Sequence, residues 1–224
     1  MPHMPDVKET IAIAIKAEID AAKNYNKAAQ QTNLFLLRDK FQFLVKEEEQ
    51  LVIELQTAST REQAFREVMM LYKERLYWHI RKIVISHDDS DDVLQNTFIK
   101  VFKNIDKFKG DSKLYSWMYR IATNEAITHL NKNAKHYKMS TQEMQTNAVN
   151  NLTSDVYFEG EEIQLKLQKA IATLPQKQQL VFNMRYFDDI KYKEMADILE
   201  TSEGALKASY HIAAKKIETF LTQD

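Results

Sequence analysis

Apolar residues return every three or four positions through most of this chain, the spacing that lines one face of a helix. Ile11, Ile15, Ile19 and Ala22 mark the first such face. Thr32-Asn33 interrupts it, and Leu36, Leu37, Phe41, Leu44, Val45, Leu51 and Leu55 mark the second, so residues 1–57 are predicted as a helical hairpin. Ala58-Ser59-Thr60 is a short polar junction in which Ser59 or Thr60 can cap a new helix. Helices are then predicted over 60–85, 88–104 and 112–133. The acids of His87-Asp88-Asp89-Ser90-Asp91-Asp92 suit a helix start, where they meet the positive end of the helix dipole. Lys109-Gly110-Asp111-Ser112 is the clear glycine turn of this block, with Asp111 or Ser112 as candidate cap. From 139 to 160 Thr, Asn, Gln and Ser dominate and periodicity is lost, so 134–160 is predicted as a flexible linker. The last block, 161–224, shows four helices, with Pro175 suited to the first turn of the second. No internal repeat is visible.

Composition agrees with an all-α chain. With only 3 Gly and 3 Pro in 224 residues, tight turns are scarce. The length fits one or two domains with an appendage. There is no Cys, which removes disulfides and thiolate metal sites. No apolar run approaches the roughly 20 residues of a membrane span. The start, Met1-Pro2-His3-Met4-Pro5, lacks the features of a secretory signal, so a cytoplasmic location is expected.

A formal net charge of −1 hides an asymmetry. Between Lys100 and Lys138 stand nine Lys and Arg against three acids, whereas Met139 to Gly160 holds three acids and no cation. A basic block in a neutral chain fits a polyanion-binding face, and equally a solvated helix surface. The cations must in either case face solvent or an anion, because burying unpaired charge is costly.

Near the C-terminus, Tyr192 to Leu199 reads as an amphipathic helix with Ala196 and Leu199 inward. Glu200-Thr201-Ser202 forms a turn, and Ser202 can cap the helix that follows. That helix is expected to bury Ala205, Leu206, Ile212 and Ile217 and to expose Glu203, Lys207, Ser209, Tyr210 and His211. Such a pair is a helix-turn-helix, whose second helix can enter a major groove, or an ordinary packed helical pair.

Three groups of residues resemble sigma factors of the extracytoplasmic-function type, over about 60–224. Leu174-Pro175, Val181-Phe182, Arg185-Tyr186-Phe187, Tyr192, Glu194-Met195-Ala196, Ile198-Leu199, Gly204-Ala205-Leu206-Lys207 and Ala214-Lys215-Lys216-Ile217 resemble the family's C-terminal domain. That domain recognises the minus-35 promoter element, which implies that role for Glu203, Lys207, Ser209, Tyr210 and His211. Asp91 to Phe102 resembles the helix that docks on the clamp helices of the polymerase β′ subunit. Val93, Phe98, Val101 and Phe102 then form a buried stripe, leaving Asp92, Gln95, Asn96 and Lys100 for the partner; the family more often has Glu where Asn96 stands. Phe108-Lys109-Gly110 and Trp117 to Asn124 resemble the minus-10 recognition segment. Aromatics interleaved with cations suit single-stranded DNA, since rings stack on bases and cations track phosphates. Lys109, Ser112, Lys113, Arg120 and Asn124 are the implied contacts, whereas Trp117 and Ile121 fit core packing. The resemblance implies sigma region 2 over 58–133 and a region 4 helix-turn-helix over 161–224. It also implies core RNA polymerase (β′ clamp helices and β flap), promoter DNA and an anti-sigma factor as partners, with no cofactor and no catalysis.

Residues 1–57 resemble something else. Ala17 to Ala22, Tyr25 and Glu47 to Gln50 are similar to the first helical pair of rubrerythrin-like, ferritin-type proteins. Those bind two irons with Glu on one helix and Glu-x-x-His on the next. Here Leu51 follows three after Glu48 and Gln50 three after Glu47, and no His lies between His3 and His79. A partner-binding or structural hairpin is expected, without metal. Two rivals remain: a helical iron-binding or oxidative-stress protein, argued from this hairpin, and a duplex-DNA regulator that works without polymerase.

Overall fold

The computed structural model describes residues 49–150 and 162–222. Residues 1–48 lie outside them, and with them most of the expected hairpin, including Glu18, Glu47 and Glu48. The chain divides into two units, Met1–Val52 and Ile53–Asp224. Every described element is helical or a turn, as the periodicity predicts.

In the second unit three long helices come first: α1 Arg61–Val84, α2 His87–Asn104 and α3 Leu114–Tyr137. Ala64, Val68, Leu76, Ile80 and Ile83 of α1 are buried with Val93, Leu94, Phe98 and Val101 of α2 and Met118, Ala122, Ala126 and Leu130 of α3 where the three helices pack. Each of these large side chains contributes about 1.5–3 kcal/mol by leaving water. Phe65 closes the end, edge-on to Phe98 and Phe102 at 6.1 and 4.9 Å. The predicted stripe on α2 is confirmed, with Phe102 half-buried. Ser86 caps α2, accepting from the Asp89 N–H, with Asp88 and Asp89 in the first turn.

The glycine turn is where predicted, and Gly110 has φ +78°, a conformation that costs other residues about 1–2 kcal/mol. The helix after it starts later than expected. Lys113 is its N-cap and supplies no side-chain bond, so neither Asp111 nor Ser112 caps α3. Gln56 holds the preceding turn from outside, donating to the carbonyls of Ile105 and Phe108 at 3.2 and 2.9 Å.

The predicted linker is a correction in its first half. Helix α3 runs on to Tyr137, and α4 occupies Thr141–Asn150. Gln145 is buried and donates to the Ile83 carbonyl at 2.9 Å, and Val149 packs with Ile85 and Ala172. One buried Val and one buried Gln suffice to dock a polar helix that carries no apolar stripe of its own. Residues 151–160 of the expected linker are outside the described residues.

Four helices follow, as predicted: α5 Glu162–Ala172, α6 Gln176–Tyr186, α7 Tyr192–Leu199 and α8 Glu203–Leu221. Pro175 is the N-cap of α6, one place before the expected first turn. Ala170, Ile171, Leu174, Phe182, Ala213 and Ile217 form the core of this bundle.

Candidate nucleic-acid interface

The helix-turn-helix is α7, the turn Glu200-Thr201-Ser202, and α8. Glu200 turns the chain in the left-handed region (φ 49°), and the Ser202 side chain caps α8 by accepting from the Ala205 N–H. Met195 and Ile198 are the buried residues of α7, while Ala196 and Leu199, expected inward, are only half-buried. On α8 the buried positions are Leu206, Ala213 and Ile217, with Tyr210 packed against the same core. Ala205 and Ile212 were expected inside and are exposed, because they sit one position, about 100° of helix rotation, off that stripe.

This shift sorts the five candidates on α8. Glu203, Lys207 and His211 are exposed and share one face at four-residue spacing, with Ser209 half-exposed beside them. Lys207 pairs with Glu203 at 3.4 Å and lies 5.7 Å from the Tyr192 ring centre. Tyr210 is the correction. Its ring stacks on Phe182 at 5.7 Å and meets Tyr192 edge-on at 6.4 Å, so it builds the core under the face rather than the face itself.

The four candidates on α2 are all exposed, but Lys100 is engaged within the fold. Its ammonium pairs with Glu125 on α3, bracing the two helices. Asp92, Gln95 and Asn96 remain on the outer face, joined by Ile99, which is 44% exposed. The four-residue step from Gln95 to Ile99 was the available signal for Ile99.

The basic block is on the surface throughout. Lys109, Lys113 and Asn124 are exposed, and Ser112 and Arg120 are half-exposed, along the Gly110 turn and the first half of α3. Trp117 is half-buried against Phe108, with ring centres 5.2 Å apart, and Ile121 is half-buried, so the core-packing expectation holds in part. Two of the cations have anionic partners from the helix-turn-helix. Lys113 Nζ donates to Glu194 Oε1 at 2.7 Å, and Arg120 Nη1 to Glu200 Oε1 at 3.0 Å.

Behind these pairs lies a buried cluster that the sequence reading missed. Asp188, in the turn after α6, has a side chain only 7% exposed. It receives Lys82 Nζ of α1 and lies 3.2 Å from Nδ1 of His79, itself 1% exposed. Thr123 donates to the Tyr119 carbonyl at 2.8 Å and is left to accept from His79 Nε2–H, also at 2.8 Å. Burial alone would raise the Asp188 pKa, but the hydrogen bond and charge of His79, with Lys82, bring it below the usual carboxylate value. Burial, with the Asp188 charge adding to it, pushes the Tyr119 phenol up to about 12. Asn183 completes the contact by donating to the Lys82 carbonyl at 3.3 Å. A lone His inside the apolar face of a predicted helix was the signal, and nothing local in the sequence pointed from it to Asp188.

Among the described residues no group of three or more His, Asp or Glu could hold a metal ion, and no helix is long and apolar enough to cross a membrane.

Comparison with known proteins places two families on these elements. Residues 68–136 match Sigma-70 region 2 and residues 164–217 match Sigma-70, region 4; together they cover more than half of the chain. The ECF RNA polymerase sigma factor SigW of Bacillus subtilis is 27% identical over 157 residues, 66% of this chain and 83% of the relative. The RNA polymerase sigma-H factor of Pseudomonas aeruginosa is 25% identical over 193 residues, 78% of this chain and 94% of the relative. Two solved structures share the fold. CnrH in complex with the cytosolic domain of CnrY has a TM-score of 0.59 at 18% identity, covering 79% of this chain and 98% of that one. The sigma factor RpoE in complex with the anti-sigma factor NepR from Bartonella quintana has a TM-score of 0.55 at 20% identity, covering 71% and 98%.

Proposed function

The chain belongs to the sigma-70 family as a sigma factor of the extracytoplasmic-function type, and from that premise we propose how its surfaces divide the work of starting transcription. As a sigma factor it binds core RNA polymerase and directs it to promoters. The occurrence of both regions in the family's order, on separate helical groups, carries this conclusion. Helix α2 docks on the β′ clamp helices through Asp92, Gln95, Asn96 and Ile99. Lys100 supports that surface from within by pairing with Glu125.

The Gly110 turn and α3 take the non-template strand of the minus-10 element. Lys109, Ser112, Lys113, Arg120 and Asn124 line the strand, and a turn beside a cationic helix suits one extruded base. Helix α8 enters the minus-35 major groove with Glu203, Lys207, Ser209 and His211, held at its depth by Tyr210. The β flap is the expected support for region 4. An anti-sigma factor is the expected regulator, and the cytoplasm, where polymerase and DNA meet, is the expected location. A regulator confined to duplex DNA would have no use for region 2, which favours the polymerase reading over that rival.

The deciding experiment is a pull-down with core polymerase and a folded Asp92→Lys, Gln95→Lys variant. Core binding should weaken at least tenfold, as expected when charge is reversed at the centre of an interface. Undiminished binding would remove α2 from the polymerase contact.

A further inference from the structure

The turn ahead of α3 is held by a stretch of chain that precedes the matched region 2. Residues Ile105–Lys107 form one 3-10 turn, and Phe108 follows it in extended conformation. The Phe108 N–H donates to the Ile105 carbonyl at 3.0 Å, a single bond for a turn type whose bonds are poorly aligned. Gln56 adds two more. Its amide nitrogen donates to the Ile105 carbonyl at 3.2 Å and to the Phe108 carbonyl at 2.9 Å. Carbonyls only accept, so both N–H bonds of one amide are used on the two ends of one turn.

Arg61 acts on the same turn five residues further on. Its guanidinium pairs with Asp106, between the two carbonyls that Gln56 holds. It also donates back to the carbonyls of Leu55 at 2.9 Å and Gln56 at 3.3 Å. Leu55 is fully buried, so this bracket is footed in the core.

Beyond Phe108 the support stops. Among the described residues the backbone bonds of the turns end at Phe108 and begin again at Lys113. Lys109 to Ser112 are therefore placed by what fixes their two ends, α3 on one side and the Gln56 and Arg61 bracket on the other. Gly110 reverses the chain at φ +78° and adds no stiffness of its own. Gln56 and Arg61 both lie ahead of residue 68, where the Sigma-70 region 2 match begins.

We propose that Gln56, backed by Arg61, is a positioning residue for base selection, which sets the shape of the 109–112 turn around one extruded minus-10 base. The inference rests on the minus-10 reading of that turn. Holding phosphates along α3 needs charge and tolerates movement. Fitting one base does not, because a polar group displaced by about 1 Å loses its hydrogen bond. Gln56 thus governs which base is accepted, while the cations of α3 hold the strand.

The test uses Gln56→Ala and Gln56→Glu, both at an exposed side chain. Glutamate keeps the length, but its carboxylate cannot donate to either carbonyl. The first readout needs no DNA. The chain has no Cys, so Asp111→Cys carries a nitroxide on its one thiol, inside the turn. In the full-length chain each Gln56 variant should sharpen the nitroxide spectrum, and an unchanged line shape in either would overturn the bracket.

The second readout uses holoenzyme on a premelted promoter, with each non-template minus-10 base changed in turn. The preference of wild type for one base at one position should fall about tenfold in both variants, the scale of one lost base contact. Melting temperature and affinity for promoters carrying a disfavoured base should stay as in wild type. An undiminished preference, or an equal loss for every base, would overturn the role in selection. Arg120→Ala on the same promoters keeps the two readings apart. No loss there refutes the minus-10 assignment of α3, while the nitroxide spectra still report on the bracket without DNA.

Discussion

The two faces proposed to read DNA differ in where their charges find partners. On α8, Lys207 pairs with Glu203, four residues away on the same helix. At the start of α3 and within it, Lys113 and Arg120 pair with Glu194 and Glu200, 81 and 80 residues away. The first arrangement is set by helix geometry and survives any movement of the domain. The second exists only while regions 2 and 4 are together. The pairing on α8 thus does not depend on region 2, and that of Lys113 and Arg120 does.

The largest effect that tests this contrast falls on the face of the Gly110 turn and α3. Arg120→Ala with Asn124→Ala should leave core binding intact and abolish open-complex formation on duplex promoters. A premelted promoter should restore part of the activity, because strand opening no longer has to be driven by capture. Normal opening of duplex promoters by the double variant would show that α3 does not hold the strand.

The support beneath the α8 face comes next. Tyr210→Ala removes a ring packed between Phe182 and Tyr192 and should destabilise region 4 by about 3 kcal/mol. Tyr210→Phe should leave both the melting temperature and minus-35 binding near wild type. A binding defect in Tyr210→Phe without loss of stability would return the hydroxyl to the DNA face.

The smallest effect concerns a single contact of the α8 face. Lys207→Ala should cost about 1 kcal/mol in minus-35 duplex binding, and should lower the salt slope by about 1 if the ammonium meets a phosphate. Because its partner Glu203 is local, this loss should be the same in isolated region 4 binding and in the holoenzyme. Unchanged affinity at every salt concentration would take Lys207 out of the contact.

Apart from α4, the helices, their order and the two matched regions were written in the chain itself. Apolar spacing is a local property, and a helix reads its own sequence within a turn or two. The same holds for the Ser202 cap, the Gly110 turn and the exposed positions Asp92, Gln95, Asn96, Lys207 and His211. Where the local pattern was ambiguous by one position, packing chose. Leu206 and Ile217 took the core as expected, Ala213 joined them while Ala205 and Ile212 stayed outside, and Tyr210 packed against the same core. Helix α4 had no stripe to announce it and forms against Ile83 and Ile85.

What only the tertiary structure decided is which distant charges meet. Lys100 found Glu125, Arg120 found Glu200, and Asp188 found His79 and Lys82 across more than a hundred residues. An ion pair between helices depends on their relative rotation and translation, which the summed packing of both domains fixes. No spacing rule along the chain carries that information, so the cations of the basic block were legible as a surface and their partners were not.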